Sequence, residues 1–297
     1  MNTNSNQYTI KFAIIMVVIV ALILSFVAIT LKEAQNKNKE LEKKQNILKA
    51  IGVKDISREQ SNLEYNNYIK KEIVLNYKGE KINEYRSSYI DSLTNLSDDE
   101  SLKILNEINK TRAFSIKLKK EIKLPLEEQK FPLYIGIDNN NEEKYIIPLE
   151  GKGLWGPIWG FISLNPDLNT VFAAVYDHKA ETPGLGAEIN TSWFQERFIG
   201  KEIYENSSNK LVSIEVTKKE ISSDDYHKVN GISGGTITSD GVTNMLLERL
   251  SKYDVYFQKL NQEKKDIEDI LELEDIKDFM QENQDDNKYI GDSDLKK

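Results

Sequence analysis

The stretch Phe12 to Leu31, FAIIMVVIVALILSFVAITL, constrains this chain more than any other. It is an apolar run of roughly 20 residues, enough for a helix to cross a bilayer. Its only polar members, Ser25 and Thr30, can return their hydroxyls to the helix backbone. A cleaved signal peptide carries a shorter apolar region and a small-residue cleavage site, and a core helix of a soluble protein is seldom apolar on every face. The run therefore reads as a retained anchor, residues 1–32, and the rest of the chain must fold outside the hydrocarbon layer.

Lys11 precedes the run, whereas Lys32, Lys37, Lys39, Lys43, Lys44 and Lys49 follow it. Counted by the positive-inside rule alone, this keeps the large domain in the cytoplasm. Residues 33–60 continue as a charged helical stalk with Leu41, Ile47, Leu48 and Ile51 on one side. The region 61–130 is mixed, with a helix-like stretch near Ser97 to Lys110 and an alternating run at Phe114, Ile116 and Leu118. Strand patterns follow in LYIGI, KYIIP, WGFISL and VFAAVY, separated by Asn, Gly, Pro and Asp turns, which predicts an antiparallel sheet. A short helix is expected at Ser192 to Ile199 and a strand at Leu211 to Thr217. A longer helix is expected from an N-cap at Ser239, with Val242, Met245, Leu246, Leu250, Tyr253 and Phe257 on its apolar face. The fold class is α+β: one N-terminal transmembrane helix, then a globular domain over 61–258 with an antiparallel sheet and flanking helices. From 259 to 297 the chain reads as a short helix and an acidic tail.

Composition narrows the chemistry. Lys and Arg number 40 against 48 Asp and Glu, a net charge of -8, with no basic block of the kind that binds nucleic acid. There is no cysteine for a thiolate nucleophile or a Cys-ligated metal, and only His178 and His227 for imidazole chemistry. Neither catalytic side chains nor metal ligands are assigned.

Two glycine-rich segments remain. In ISGGTITSDG, Gly234 and Gly235 precede Thr236, with Thr238 and Ser239 just beyond, at the start of the expected helix. A helix N-terminus offers unpaired N–H groups and a positive dipole end, a ready seat for a phosphate. The Thr236 hydroxyl would sit where it could be joined to that phosphate, but no local base activates it, so another enzyme would have to make the bond. The same segment also reads as a plain turn feeding a helix. In ETPGLGAEI, Pro183 stiffens a loop whose Gly184 and Gly186 let the backbone approach a planar ring; a tight connection without ligand is the other reading.

GKGLWGPIWGF (151–161), ETPGLGAEI (181–189) and SGGTITSDGV (233–242), in that order, resemble the family of C subunits of sodium-translocating NADH:quinone reductases, proteins with a covalent FMN-binding domain. The resemblance extends from the anchor through KKQNILKAIGV (43–53) and covers roughly residues 8–258, with the FMN-binding core at about 134–258. It implies FMN held through its phosphate on Thr236, the last residue of the Ser233–Gly234–Gly235–Thr236 motif, and attached by a flavin transferase. Thr238 is the secondary candidate for attachment. Gly235 replaces the usual alanine and Asn230 the usual aspartate, substitutions that bear on how efficiently flavin is attached.

By the same resemblance, backbone amides near Thr238 and Ser239 hold the phosphate, and Thr182, Pro183, Gly184, Leu185 and Gly186 lie along the isoalloxazine. Trp155 is either a ring neighbour or a core anchor. Glu181 and Lys218 could bond the ligand or form surface ion pairs. The implied role is an electron carrier in the inner membrane of a bacterium. It receives electrons that left NADH through other subunits and passes them toward a flavin in a membrane partner and then quinone. The family places the flavin domain on the periplasmic side, against the lysine count. Other readings are the G subunit of a ferredoxin:NAD oxidoreductase, a flavin-free anchored scaffold, and, more distantly, a hydrolase.

Overall fold

The structure is a computed structural model and describes residues 6–271 apart from 97, 206, 220 and 223. Helix α1, Asn6–Lys49, runs unbroken through 44 residues, about 66 Å at 1.5 Å per residue. Among the described residues it is the one helix long and apolar enough to cross a membrane, and its apolar stretch is bare of protein contacts. Thr30 returns its hydroxyl to the carbonyls of Phe26 and Val27, so its donor is paired within the helix.

Beyond α1 come α2 (Ser61–Tyr68), β1 (Ile69–Leu75), β2 (Lys81–Arg86), α3 (Ser87–Leu96) and α4 (Asp99–Thr111), the last capped by Asp98 on the Ser101 N–H. A short α5 (Leu118–Glu121) leads to β3 (Phe131–Ile137), β4 (Glu143–Lys152), β5 (Pro157–Leu164) and β6 (Val171–His178). These make one six-stranded sheet ordered β2-β1-β3-β4-β5-β6, every neighbour antiparallel. The antiparallel sheet expected from 133–176 is present, and β1 and β2 extend it. The alternation at Phe114, Ile116 and Leu118 does not make a strand: Ala113–Ser115 is a 3-10 turn and Leu118 opens α5, because this segment packs under α1 and not on a sheet edge.

Strand alternation sends side chains to two cores. Leu133, Ile135, Tyr145, Ile147, Leu149 and Ile162 face one side and pack beneath α7 (Thr236–Leu250) and residues 253–257. Tyr134, Ile146, Phe161 and Val175 face the other and meet Ile47, Leu48, Ala50, Ile51 and Tyr65. The end of α1 is thus built into the domain, and the Ala50 carbonyl accepts a hydrogen bond from the Ser163 hydroxyl. The buried Glu72 on β1 is held by Arg112, by the Tyr65 hydroxyl at 2.8 Å and by the Phe114 N–H at 2.9 Å.

After β6 the chain forms α6 (Ser192–Gln195), followed by a 3-10 turn through Phe198, in the place of the expected helix. The expected strand at Leu211–Thr217 is broken. The hairpin β7 (Tyr204–Glu205) with β8 (Lys210–Leu211) ends before Ser213, whose φ of 63° interrupts extension, and β9 (Glu215–Thr217) then pairs in parallel with β10 (Lys228–Asn230). Residues 254–271 are helical. The acidic segment beyond 271 lies outside the described residues.

Candidate functional site

Three loops meet at one end of the sheet. The first is the tip of the β4–β5 hairpin, closed by the Gly153 N–H on the Gly156 carbonyl at 2.8 Å, with Leu154 and Trp155 between them. The second is the 181–186 segment after β6, wound tight by the Leu185 and Ala187 N–H groups, which both donate to the Thr182 carbonyl at 3.1 Å. The third is the entry to α7. Together Leu154, Glu181, Thr182, Leu185, Gly186, Gly234, Gly235, Thr236, Ile237 and Thr238 line a cleft of about 160 Å³. Enclosing a drug-sized ligand takes upwards of roughly 300 Å³, more than this cleft holds.

The α7 entry carries the chemistry. Its N-cap is Gly235, which has no side chain to bond the first turn, and no acidic residue lies in that turn. The first intrahelical bond is made by the Ser239 N–H to the Gly235 carbonyl at 2.9 Å. The N–H groups of Thr236, Ile237 and Thr238 therefore precede the ladder and face the cleft end of the dipole, as an anion seat requires. The helix begins three residues before the expected Ser239 cap, so Ser239 lies within the first turn. It is buried, its N–H is spent on Gly235, and its hydroxyl accepts from the Ile232 N–H at 3.4 Å. The amides open to a phosphate are thus those of 236–238, and Ser239 is not among them. Gly234 has φ +74°, a conformation that disfavours a side chain, and a Cβ there would lie 2.6 Å from Leu185 Cδ2.

Among the hydroxyls, Thr236 is half-buried in the cleft with no hydrogen-bond partner among the described residues. Thr238 is 2% exposed and donates to Glu181 Oε2 at 2.6 Å, so its hydroxyl is buried and already engaged. Ser233 is exposed and Lys218 lies exposed beyond β9, neither lining the cleft. Trp155 is 66% exposed, so it is not a core anchor; its N–H reaches Glu181 at the cleft, while its side chain is not among the groups lining it. Pro183 and Gly184 sit on the exposed outer turn of the second loop, with the Gly184 N–H on Glu188 Oε1 at 2.9 Å. Gly235 has an ordinary negative φ; the alanine it replaces would set its Cβ 3.1 Å from Ile232 Cγ2. The Asn230 carbonyl accepts from Arg197 at 2.6 Å.

Sequence reasoning offered Glu181 only as a ligand contact or a surface ion pair. The carboxylate instead turns inward: Oε1 accepts from the Trp155 N–H at 2.9 Å and Oε2 from Thr238. Among the described residues it is the only carboxylate lining the cleft, and both oxygens are engaged, so no free base stands beside Thr236.

Residues 153–251 match the FMN-binding domain family, a span that begins at the hairpin tip and ends just past α7. The C subunit of the Na(+)-translocating NADH-quinone reductase of Haemophilus ducreyi is 30% identical over 249 residues, covering 82% of this chain and 89% of its own. The corresponding protein of Vibrio alginolyticus is 27% identical, covering 81% and 89%. The crystal structure of the C subunit of this reductase from Parabacteroides distasonis superposes with a TM-score of 0.59 at 34% identity, over 76% of this chain and 96% of that one.

Proposed function

Since the chain belongs to the family of C subunits of Na(+)-translocating NADH-quinone reductases, we propose that it is the membrane-anchored electron carrier of such a complex, with FMN esterified through its phosphate to Thr236. The observation that carries this reading is the Thr236 hydroxyl, unpartnered among the described residues in a cleft at the mouth of an uncapped 15-residue helix. The neighbouring buried hydroxyl residues are committed to the fold: Thr238 to Glu181, and Ser239 to Ile232 and Gly235.

Bound FMN supplies the redox chemistry that the side chains here lack. The chain's own residues bind and orient. The N–H groups of 236–238 and the helix dipole neutralise a phosphate. Leu154, Leu185 and Ile237 would offer apolar surface to the ring. With no free base in the cleft, the proton on the Thr236 hydroxyl has to be removed by the flavin transferase as the Oγ–P bond forms and the donor's phosphate bond breaks. Partner chains oxidise NADH on one side of the carrier and deliver electrons to quinone on the other. A tether keeps the carrier loaded on the periplasmic side, where free flavin is scarce.

The test is the intact mass of the protein co-expressed with a flavin transferase. A gain of one FMN less one water, absent from Thr236→Ala, supports the reading. A colourless wild-type protein made beside a transferase proven on a control substrate favours an anchored scaffold instead.

A further inference from the structure

Glu181 is 5% exposed, and among the described residues no cation pairs with it. Burying a carboxylate is costly unless hydrogen bonds repay the lost water. Here they come from two different loops. The Trp155 N–H, at the hairpin tip, donates to Oε1, and the Thr238 hydroxyl, in the first turn of α7, donates to Oε2. The residue's own N–H donates to His178 Nδ1 at 3.1 Å, fixing its backbone to the end of β6. The space is cut to the carboxylate on both sides: a Cβ on Gly153 would lie 2.6 Å from Oε1, and one on Gly186 would lie 2.6 Å from Oε2. Two carboxyl oxygens can hold donors from two directions at once.

We propose that Glu181 is the positioning residue of the flavin site, a clamp that fixes the Trp155 hairpin against the first turn of α7. It therefore sets the ring-side rim relative to the phosphate-side helix. The inference rests on the flavin reading above for its consequence, though the clamp itself is a feature of the protein alone. With the carboxylate holding Thr238, Thr236 is the hydroxyl lining the cleft that keeps no partner among the described residues.

The experiment uses the full-length protein in detergent, as Glu181→Ala, Glu181→Gln and Thr238→Val. In a flavin-free Thr236→Ala background, amide exchange of Trp155 is expected to quicken about tenfold or more in Glu181→Ala, while the amides of Ile147 and Ile162 in the sheet keep their protection. In Glu181→Gln the carboxamide oxygen still accepts from one donor, so exchange falls between. In flavin-loaded protein, Glu181→Ala is expected to lower flavin fluorescence anisotropy and weaken visible circular dichroism, and Glu181→Gln to restore both in part. If Glu181→Ala does not fold, Thr238→Val severs the α7 arm with little change of volume and is expected to lower the anisotropy. Folded Glu181→Ala, or Thr238→Val in its place, with wild-type flavin anisotropy would overturn the proposal, as would unchanged Trp155 exchange in Glu181→Ala. A wild-type protein that takes up no flavin counts against the reading of the site; the exchange measurement, made without flavin, then decides the clamp alone.

Discussion

Ser233, Thr236, Thr238 and Ser239 share one chemistry, and their surroundings divide the work among them. Of the four, Thr236 alone keeps its hydroxyl in the cleft without a partner among the described residues. The glycines are equally particular. At Gly234 a side chain would meet both a left-handed φ and the Leu185 methyl, so Gly234→Ala should cost about 1–3 kcal/mol, read as a lower urea midpoint. Gly186→Ala should lower flavin uptake as well as stability, because the added methyl presses on Thr238 Oγ1 and Glu181 Oε2, the two atoms that hold the loops together. Uptake equal to wild type in that variant would show that the junction tolerates displacement. Thr236 was legible in the sequence because two glycines announce a presented residue. Glu181 was not, since its partners lie 26 and 57 residues away and nothing local distinguishes it from a surface carboxylate.

At the scale of elements, the strands from 133 to 176 were legible because each is a short apolar run bounded by turn residues. β1 was not: its IKKEIVL interrupts the apolar pattern with Glu72, which is buried only because Arg112, 40 residues on, reaches it. The start of α7 was misplaced because a serine is the better cap by rule, whereas the fold uses a capless glycine and leaves the amides for another group. α1 carries its own prediction. Lys43 donates to the Phe114 carbonyl at 2.6 Å and lies over the Phe114 ring, and burial pulls its amine down to about 8. A base with a folded value below its unfolded one leaves the unfolded state holding more protons between the two. Stability should therefore rise as pH climbs from about 8 toward the ordinary lysine range. Urea midpoints at about pH 7.5 and 9.5 should show this rise in wild type and a smaller one in Lys43→Met. Glu72 works at the other end. Burial alone would raise its carboxyl, but Arg112 and the Phe114 and Tyr65 donors hold it below the usual carboxylate range. Its contribution is present above the unfolded value and lost as pH falls through the folded one.

For the whole molecule, the membrane helix and the domain are one mechanical piece. Residues 6–40 stand clear of the domain, whereas Ile47, Leu48, Ala50 and Ile51 are fully buried in it. A protein beginning at residue 33 should be soluble and cooperatively folded. One beginning at residue 54 loses those four side chains, roughly 5–10 kcal/mol of burial at about 1.5–3 kcal/mol per large residue, against a typical total of about 5–15. It should aggregate or lose its unfolding transition. The orientation proposed for the domain, outward, runs against the lysines after the anchor; protease added to intact spheroplasts should remove it, and full protection would place it inside. On this reading anchor, stalk and domain together carry a flavin on one threonine. The most direct measurement is the intact mass of full-length protein made with and without an active flavin transferase, beside Thr236→Ala and Thr238→Val. One FMN less one water is expected on wild type and on Thr238→Val, and none on Thr236→Ala. Flavin retained by Thr236→Ala, or absent from wild type while the transferase loads a control substrate, would contradict that reading.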